Sequence, residues 1–165
     1  MNYCGIDIAS KSSYLHLTNA KGRKLTSGEV PTTKSGFEER LKRYVAGGLR
    51  IAIEAGNQTA WISDTLKQMG AKVTVVNPTK VKLIAESRCK TDKIDARILC
   101  ELLRIRALPR PVHMPGKRTR ALRGLLVARR QLVSARTKLC NVVRGMVRQE
   151  GILLPARTLS TFVGW

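Results

Sequence analysis

"NYCGIDIASKSSYLHLTN", residues 2–19, decides the fold. Its opening, "NYCGIDIA" (2–9), is a short apolar run with β-branched residues, and "SYLHLTN" (13–19) alternates apolar and polar side chains at period two, so both predict strands. Lys21-Gly22 makes a turn, "RKLTSGEV" (23–30) supplies a third strand, and Pro31 ends an antiparallel meander. Further out, "SGFEERLKRYVAGG" (35–48) sets Phe37, Leu41, Tyr44 and Val45 at helical spacing, with Gly47-Gly48 as the stop. "LRIAIEA" (49–55) is again strand-like. Residues 57–69 predict a helix with Trp61, Ile62, Thr65, Leu66 and Met69 on one side, and "KVTVV" (72–76) is a further strand. Asn77-Pro78 turns the chain into a helix near 79–86 and a longer one near 92–106.

Three strands followed by alternating helix and strand predict an α/β fold, a mixed sheet covered by helices on both faces. The order is that of a ribonuclease-H-like domain. Another nucleotide-binding sheet is weakened because neither GxGxxG nor GxxxxGK[ST] follows any strand. Gly5 would let the first strand lie close to a neighbour.

With 31 basic against 11 acidic side chains and a formal charge of +20 in 165 residues, the expected partner is a polyanion, best a nucleic acid. A membrane surface is the rival, but no apolar run approaches the ~20 residues that span a bilayer. The start "MNYCGIDIAS" lacks the basic and apolar regions of a secretory signal, so a cytoplasmic protein is expected. Cys4, Cys89, Cys100 and Cys140 are scattered, without a CxxC pair and with only two histidines, which argues against zinc and disulfides and for buried reduced thiols. Seven aromatics leave little for stacking on bases, so recognition should run through phosphates and shape.

Past the Pro-rich "LPRPVHMP" (108–115), the composition changes: residues 101–165 hold 14 basic and 2 acidic side chains. This divides the chain into a domain over 1–110, a basic helix over 116–150 and a tail over 151–165. From Lys117 to Glu150, Ala121, Leu125, Ala128, Leu132, Ala135, Leu139, Val142 and Met146 alternate at steps of four and three, a heptad seam. Such a helix reaches ~45 Å, long for a small domain to cover. It either folds back on its own core or, the preferred expectation, joins copies into a homodimer or higher homo-oligomer through residues 121–146. Arg120, Arg123, Arg130, Lys138 and Arg144 lie largely off the seam, suited to a nucleic-acid backbone; Arg129 and Arg136 border it and would have to snorkel.

Four acids stand out. Asp7 sits inside "CGIDIA" and Glu54 ends "RIAIE", apolar strand contexts where an unpaired carboxylate is costly. "RCKTDKIDAR" (88–97) adds Asp92 and Asp95, three apart and on one helical face. The bland alternatives are a capping box at Asp92 and ion pairs with Lys11 or Lys90. In a ribonuclease-H-like sheet, however, the first and fourth strands are neighbours, so Asp7 and Glu54 can meet while the late helix brings Asp92 and Asp95 over them. Four clustered carboxylates require divalent cations. Magnesium, or manganese in its place, prefers oxygen ligands and can grip both oxygens of a phosphodiester displacement. Lys90, Lys93 and Lys11 would then face phosphates. Asn57 and Gln58 support Glu54 or cap the next helix, and His16 and His113 carry no catalytic role.

"GIDIASK", "IAIEAGNQTAWISDTLKQMGAKVTVVNPTKVK" and "KTDKIDARIL", in this order and spacing, resemble the N-terminal RuvC-like domain of the DEDD insertion-sequence transposases, which include Piv-type DNA invertases and bridge-RNA-guided recombinases. The resemblance covers roughly residues 3–110, and the basic helix resembles that family's coiled coil. It implies that Asp7, Glu54, Asp92 and Asp95 are the DEDD acids, binding magnesium for DNA strand cleavage and exchange, with DNA and a structured guide RNA as partners. Family members continue into a C-terminal domain whose serine is the nucleophile; Ser160 is not in a matching context, so the chain is expected to be a fragment, inactive alone. Two other classes stay open: a stand-alone junction-resolving nuclease, and a non-catalytic nucleic-acid-binding module.

Overall fold

A computed structural model of the protein describes residues 1–84, 92–155 and 159. Five strands, β1 (Asn2–Asp7), β2 (Ser12–Asn19), β3 (Lys24–Pro31), β4 (Leu49–Glu54) and β5 (Lys72–Val76), form one sheet in the order β3-β2-β1-β4-β5. β1 to β3 are antiparallel neighbours, whereas β1–β4 and β4–β5 pair in parallel. This mixed sheet, with helices on both faces, has the ribonuclease-H-like arrangement.

Side chains alternate across each strand, so every strand contributes to two cores. On one face Cys4, Ile6, Leu15, Leu17, Ile51 and Ile53 pack with Phe37 and Leu41 of α1 (Lys34–Val45) and Ile62 and Leu66 of α2 (Thr59–Gln68). On the other face Ala52 and Val76 pack with Leu99, Leu102 and Leu103 of α4 (Asp92–Arg104) and Val81 of α3 (Pro78–Ile84). The local signals explain the boundaries. Thr33 accepts the Gly36 amide at 3.1 Å and starts α1, while Gly48, at φ +76°, turns the chain directly into β4. Asn77 accepts the Thr79 amide at 2.9 Å and starts α3, the turn-shaping role expected of it. Trp61 departs from expectation: α2 turns Thr59 and Ser63 inward instead, leaving Trp61 37% exposed with its ring tilted against Phe37.

The backbones of sheet and helix approach closely at Gly5. A Cβ there would stand 2.1 Å from the Ala96 carbonyl oxygen and 2.5 Å from the Cys100 amide nitrogen, both in α4. Gly5 therefore lets α4 lie directly on the central strand, as the sequence suggested.

The chain divides into two compact units, Met1–Met114 and Pro115–Trp165. The first ends in a segment whose Val112 amide donates to the Val75 carbonyl of edge strand β5 at 2.8 Å. The second is dominated by α5 (Lys117–Gln149), 33 residues and about 50 Å long. None of its residues is buried: Leu125, Leu132, Leu139 and Met146 of the seam are 64–72% exposed. No helix among the described residues is long and apolar enough to cross a membrane.

Gly5→Ala should lower unfolding stability by about 3 kcal/mol, the upper end of overpacking costs, because the new methyl group meets backbone. Gly124→Ala on the open surface of α5, where a Cβ meets nothing within 4 Å, should be neutral or stabilising by up to ~1 kcal/mol. Thermal melts of the two variants check the contrast.

Candidate active-site cleft

Asp7 is the last residue of β1 and Glu54 the last of β4. The parallel register runs from Asn2 opposite Leu49 to Ile6 opposite Ile53, so the two acids follow as the next pair. By strand alternation Asp7 lies on the same face as Gly5, and Glu54 on the same face as Ala52, which is the face α4 covers. Both acids are half-buried. They line one cleft of about 220 Å³, formed by residues 7–10 after β1 and 54–59 after β4.

The walls of this cleft are held by hydrogen bonds that the sequence did not advertise. Thr59 donates its hydroxyl to the Glu54 carbonyl at 2.8 Å and accepts the Gly56 amide at 2.7 Å, closing the turn from β4 into α2. Gln58 donates to the Ser10 carbonyl at 3.4 Å, tying the two loops together. Gln58 occupies the N-cap of α2 without a capping side-chain bond; its tie to the Ser10 loop is a third role, beside the two the sequence suggested. Thr59 escaped the motif search because a buried hydroxyl one residue into a helix has no spacing signature. A strand acid followed by Gly and then Thr, with both turn polar groups to satisfy, is the signal that could have found it.

α4 begins at Asp92 and carries Asp95 one turn on, half-buried beside Ala96, the residue whose carbonyl faces Gly5. Asp95 is not in the lining of the cleft. Lys90 and the side chains of Asp92 and Lys93 lie outside the described residues, as do Cys89 and Ser160. Lys11 is exposed, one residue past the cleft edge at Ser10. On α5, Arg123, Arg130 and Lys138 are exposed, whereas Arg120 and Arg144 are half-buried, Arg120 donating to the Pro115 carbonyl at 2.7 Å.

Among the described residues no group of three or more His, Cys, Asp or Glu side chains is gathered as metal ligands. What the described cleft supplies is two carboxylates at neighbouring strand ends, with no thiol or imidazole in its lining. That all-oxygen set suits a hard cation such as Mg²⁺ or Mn²⁺, which commonly takes only one or two protein carboxylates and keeps several waters.

Neither Cys4 nor Cys100 lines this cleft. Cys4 and Cys100 are free and buried, and burial pushes both thiols above their ordinary pKa, so they act as small apolar side chains with weak hydrogen bonds. Cys100 donates to the Tyr3 carbonyl at 3.2 Å and lies 3.3 Å from the Thr18 hydroxyl. Nearby His16 is held below its ordinary pKa by partial burial first, then by Lys24 and Arg97, against an opposing pull from Glu101.

The chain is similar to three sets of known proteins. The transposase family DEDD_Tnp_IS110 matches residues 4–151. A "Probable family 20 transposase" from Pseudomonas aeruginosa is 31% identical over 107 residues, a match covering 65% of this chain and 31% of the relative, so this chain spans about a third of that protein's length. The structure of T. thermophilus RuvC in complex with a Holliday junction substrate superposes with a TM-score of 0.46 at 13% identity, covering 68% of this chain and 99% of that one.

His16 generates a pH prediction. Its folded-state pKa lies below the unfolded value near 6.5, so between the two the unfolded chain binds more protons. Stability is therefore complete above that value and falls as pH drops through the window beneath it. His16→Gln should flatten the corresponding stretch of a Tm-against-pH curve, and an unchanged curve would show the imidazole to be uncoupled from folding.

Proposed function

The chain belongs to the IS110-type DEDD transposase family, and from that premise we propose that it is the acid-bearing part of a DNA recombinase that cleaves and exchanges strands with a divalent metal, Mg²⁺ or Mn²⁺. The observation that carries this is the pairing of Asp7 and Glu54 at adjacent parallel strand ends in one cleft. Two half-buried carboxylates lining one cleft offer a hard cation the oxygen ligands it prefers. When bound, the metal supplies charge neutralisation on a phosphodiester and activation of the attacking oxygen.

The chain's own residues do the rest. Asp7 and Glu54 hold the metal, with Asp92 and Asp95 joining them from α4. Thr59 fixes the turn after Glu54, so that this carboxylate keeps its direction without substrate. The cationic residues of α5, Arg123, Arg130 and Lys138 foremost, engage phosphates of the DNA and of a structured guide RNA. The exposed Leu/Ala seam associates with the same seam of a second copy, which would bring two clefts into one assembly.

Asp7→Asn should abolish Mn²⁺ binding in calorimetric titration while leaving affinity for duplex DNA within a fewfold of the parent. Unchanged metal binding would refute the assignment. Leu132→Glu should lower the sedimentation mass of the full chain to that of the monomer; a sedimentation mass equal to the parent's would exclude the seam as the interface.

A further inference from the structure

We infer that the cleft between β2 and α4 is a second nucleic-acid contact, a site for a backbone phosphate on the same face of the sheet as Asp7. This rests on the chain being a nucleic-acid enzyme, and it adds residues that neither the acid motif nor the basic helix supplies.

The register sets its position. Asp7 is opposite Tyr14, Gly5 opposite His16 and Tyr3 opposite Thr18, so Tyr14, His16 and Thr18 run along the α4 face beside the strand that carries Asp7. His16 and Thr18 are two and four residues from Tyr14, about 7 and 13 Å at the usual strand rise. They form one wall of a cavity of about 520 Å³. The opposite wall is α4, whose Arg97, Cys100, Glu101 and Arg104 stand at i, i+3, i+4 and i+7 on one helical face. Lys21, from the turn between β2 and β3, closes one end.

The charges in this cavity favour an anion. Glu101 is the one carboxylate among its described lining residues, and it is already engaged by a forked pair with Arg104, whose Nε donates to Oε2 at 2.9 Å. That pairing holds the Glu101 carboxyl below its ordinary pKa, so it stays ionised and neutralises Arg104. Arg97 and Lys21 are left: both are exposed, and among the described residues neither is held in an ion pair. His16 can add an uncharged donor, while the Thr18 hydroxyl is taken up by Cys100. Among the described residues no Phe, Tyr or Trp lines the cavity to stack on a base, and charge dominates the lining, as in a contact to a backbone. A free phosphate would fill little of the volume, whereas a strand passing along the sheet from Asp7 would place its neighbouring phosphates at this distance.

The test uses the full chain, with fluorescence anisotropy over a series of salt concentrations, on a labelled DNA duplex and separately on a labelled RNA hairpin. Arg97→Ala and Lys21→Ala are compared with Lys42→Ala, which removes the same charge from the exposed surface of α1 on the other face of the sheet. On the polymer that occupies the site, each of the first two should reduce the slope of log K against log salt by about 0.9 for a duplex contact, or about 0.7 for a single-stranded one, while Lys42→Ala leaves it unchanged. Equal effects of all three variants, or none from Arg97→Ala and Lys21→Ala on either probe, would overturn the inference. If the parent chain binds neither probe, the functional reading falls with it. If the parent binds and Arg120→Ala with Arg123→Ala flattens the slope while Arg97→Ala and Lys21→Ala do not, only this site falls.

Discussion

The contact between Gly5 and α4 is the constraint on which the remainder of the structure depends. β1 is the central strand, and its one residue without a side chain sits where the Ala96 carbonyl and the Cys100 amide come down onto the sheet. Because that approach is backbone to backbone, it leaves no side chain to adjust and fixes both the height and the axial position of α4. The acids at 92 and 95 and the cations at 97 and 104 are then set relative to β1 by helical spacing alone. Ala96 is fully buried for the same reason: a larger residue would lift the helix off the strand.

A second consequence concerns polar atoms. The face of the sheet under α4 is not uniformly apolar: Tyr3, Asp7, His16, Thr18 and Glu54 share it with Ala52 and Val76. The fold accommodates this by covering only its centre. Leu99, Leu102 and Leu103 seal the middle, and the polar groups emerge at the margins, Asp7 and Glu54 at the strand ends and His16 with Thr18 beyond the flank of the helix. The opposite face, under α1 and α2, has no such gap and is filled by large side chains such as Phe37, Leu41, Ile62 and Leu66. Polar clefts and bulk cohesion thus occupy different sides of one sheet.

Much of this was legible in the sequence because strand alternation and helix punctuation are local. "KVTVV" marks β5 residue for residue, Gly47-Gly48 marks the end of α1, and the bare position at Gly5 announced a close neighbour. The pairing of Asp7 with Glu54 needed one non-local premise, the adjacency of β1 and β4. What the sequence hid were interactions whose partners are backbone atoms. The Thr59 bonds at the turn and the Gln58 tie between loops depend on where carbonyls happen to point, and no residue pattern encodes that. Trp61 was misjudged for a related reason: α2 is rotated so that small polar Ser63 lies inside, which its hydropathy argues against. The cavity at His16 was overlooked because Arg97 and Arg104 look like ordinary solvated helix charges until Lys21, distant in sequence, is brought to the same place.

The position of β1 at the sheet centre also bears on how the protein is made. In chain order β1 is followed by β2 within a few residues, but its parallel neighbour arrives only with residue 49 and its covering helix is complete only at residue 104. Asp7 and Glu54 are both in place by residue 54, but one face of the central strand waits for α4. Until α4 packs, the side of β1 that carries Gly5 stays uncovered, so the core of Ala52, Val76 and Leu99 is the last part of the sheet to close.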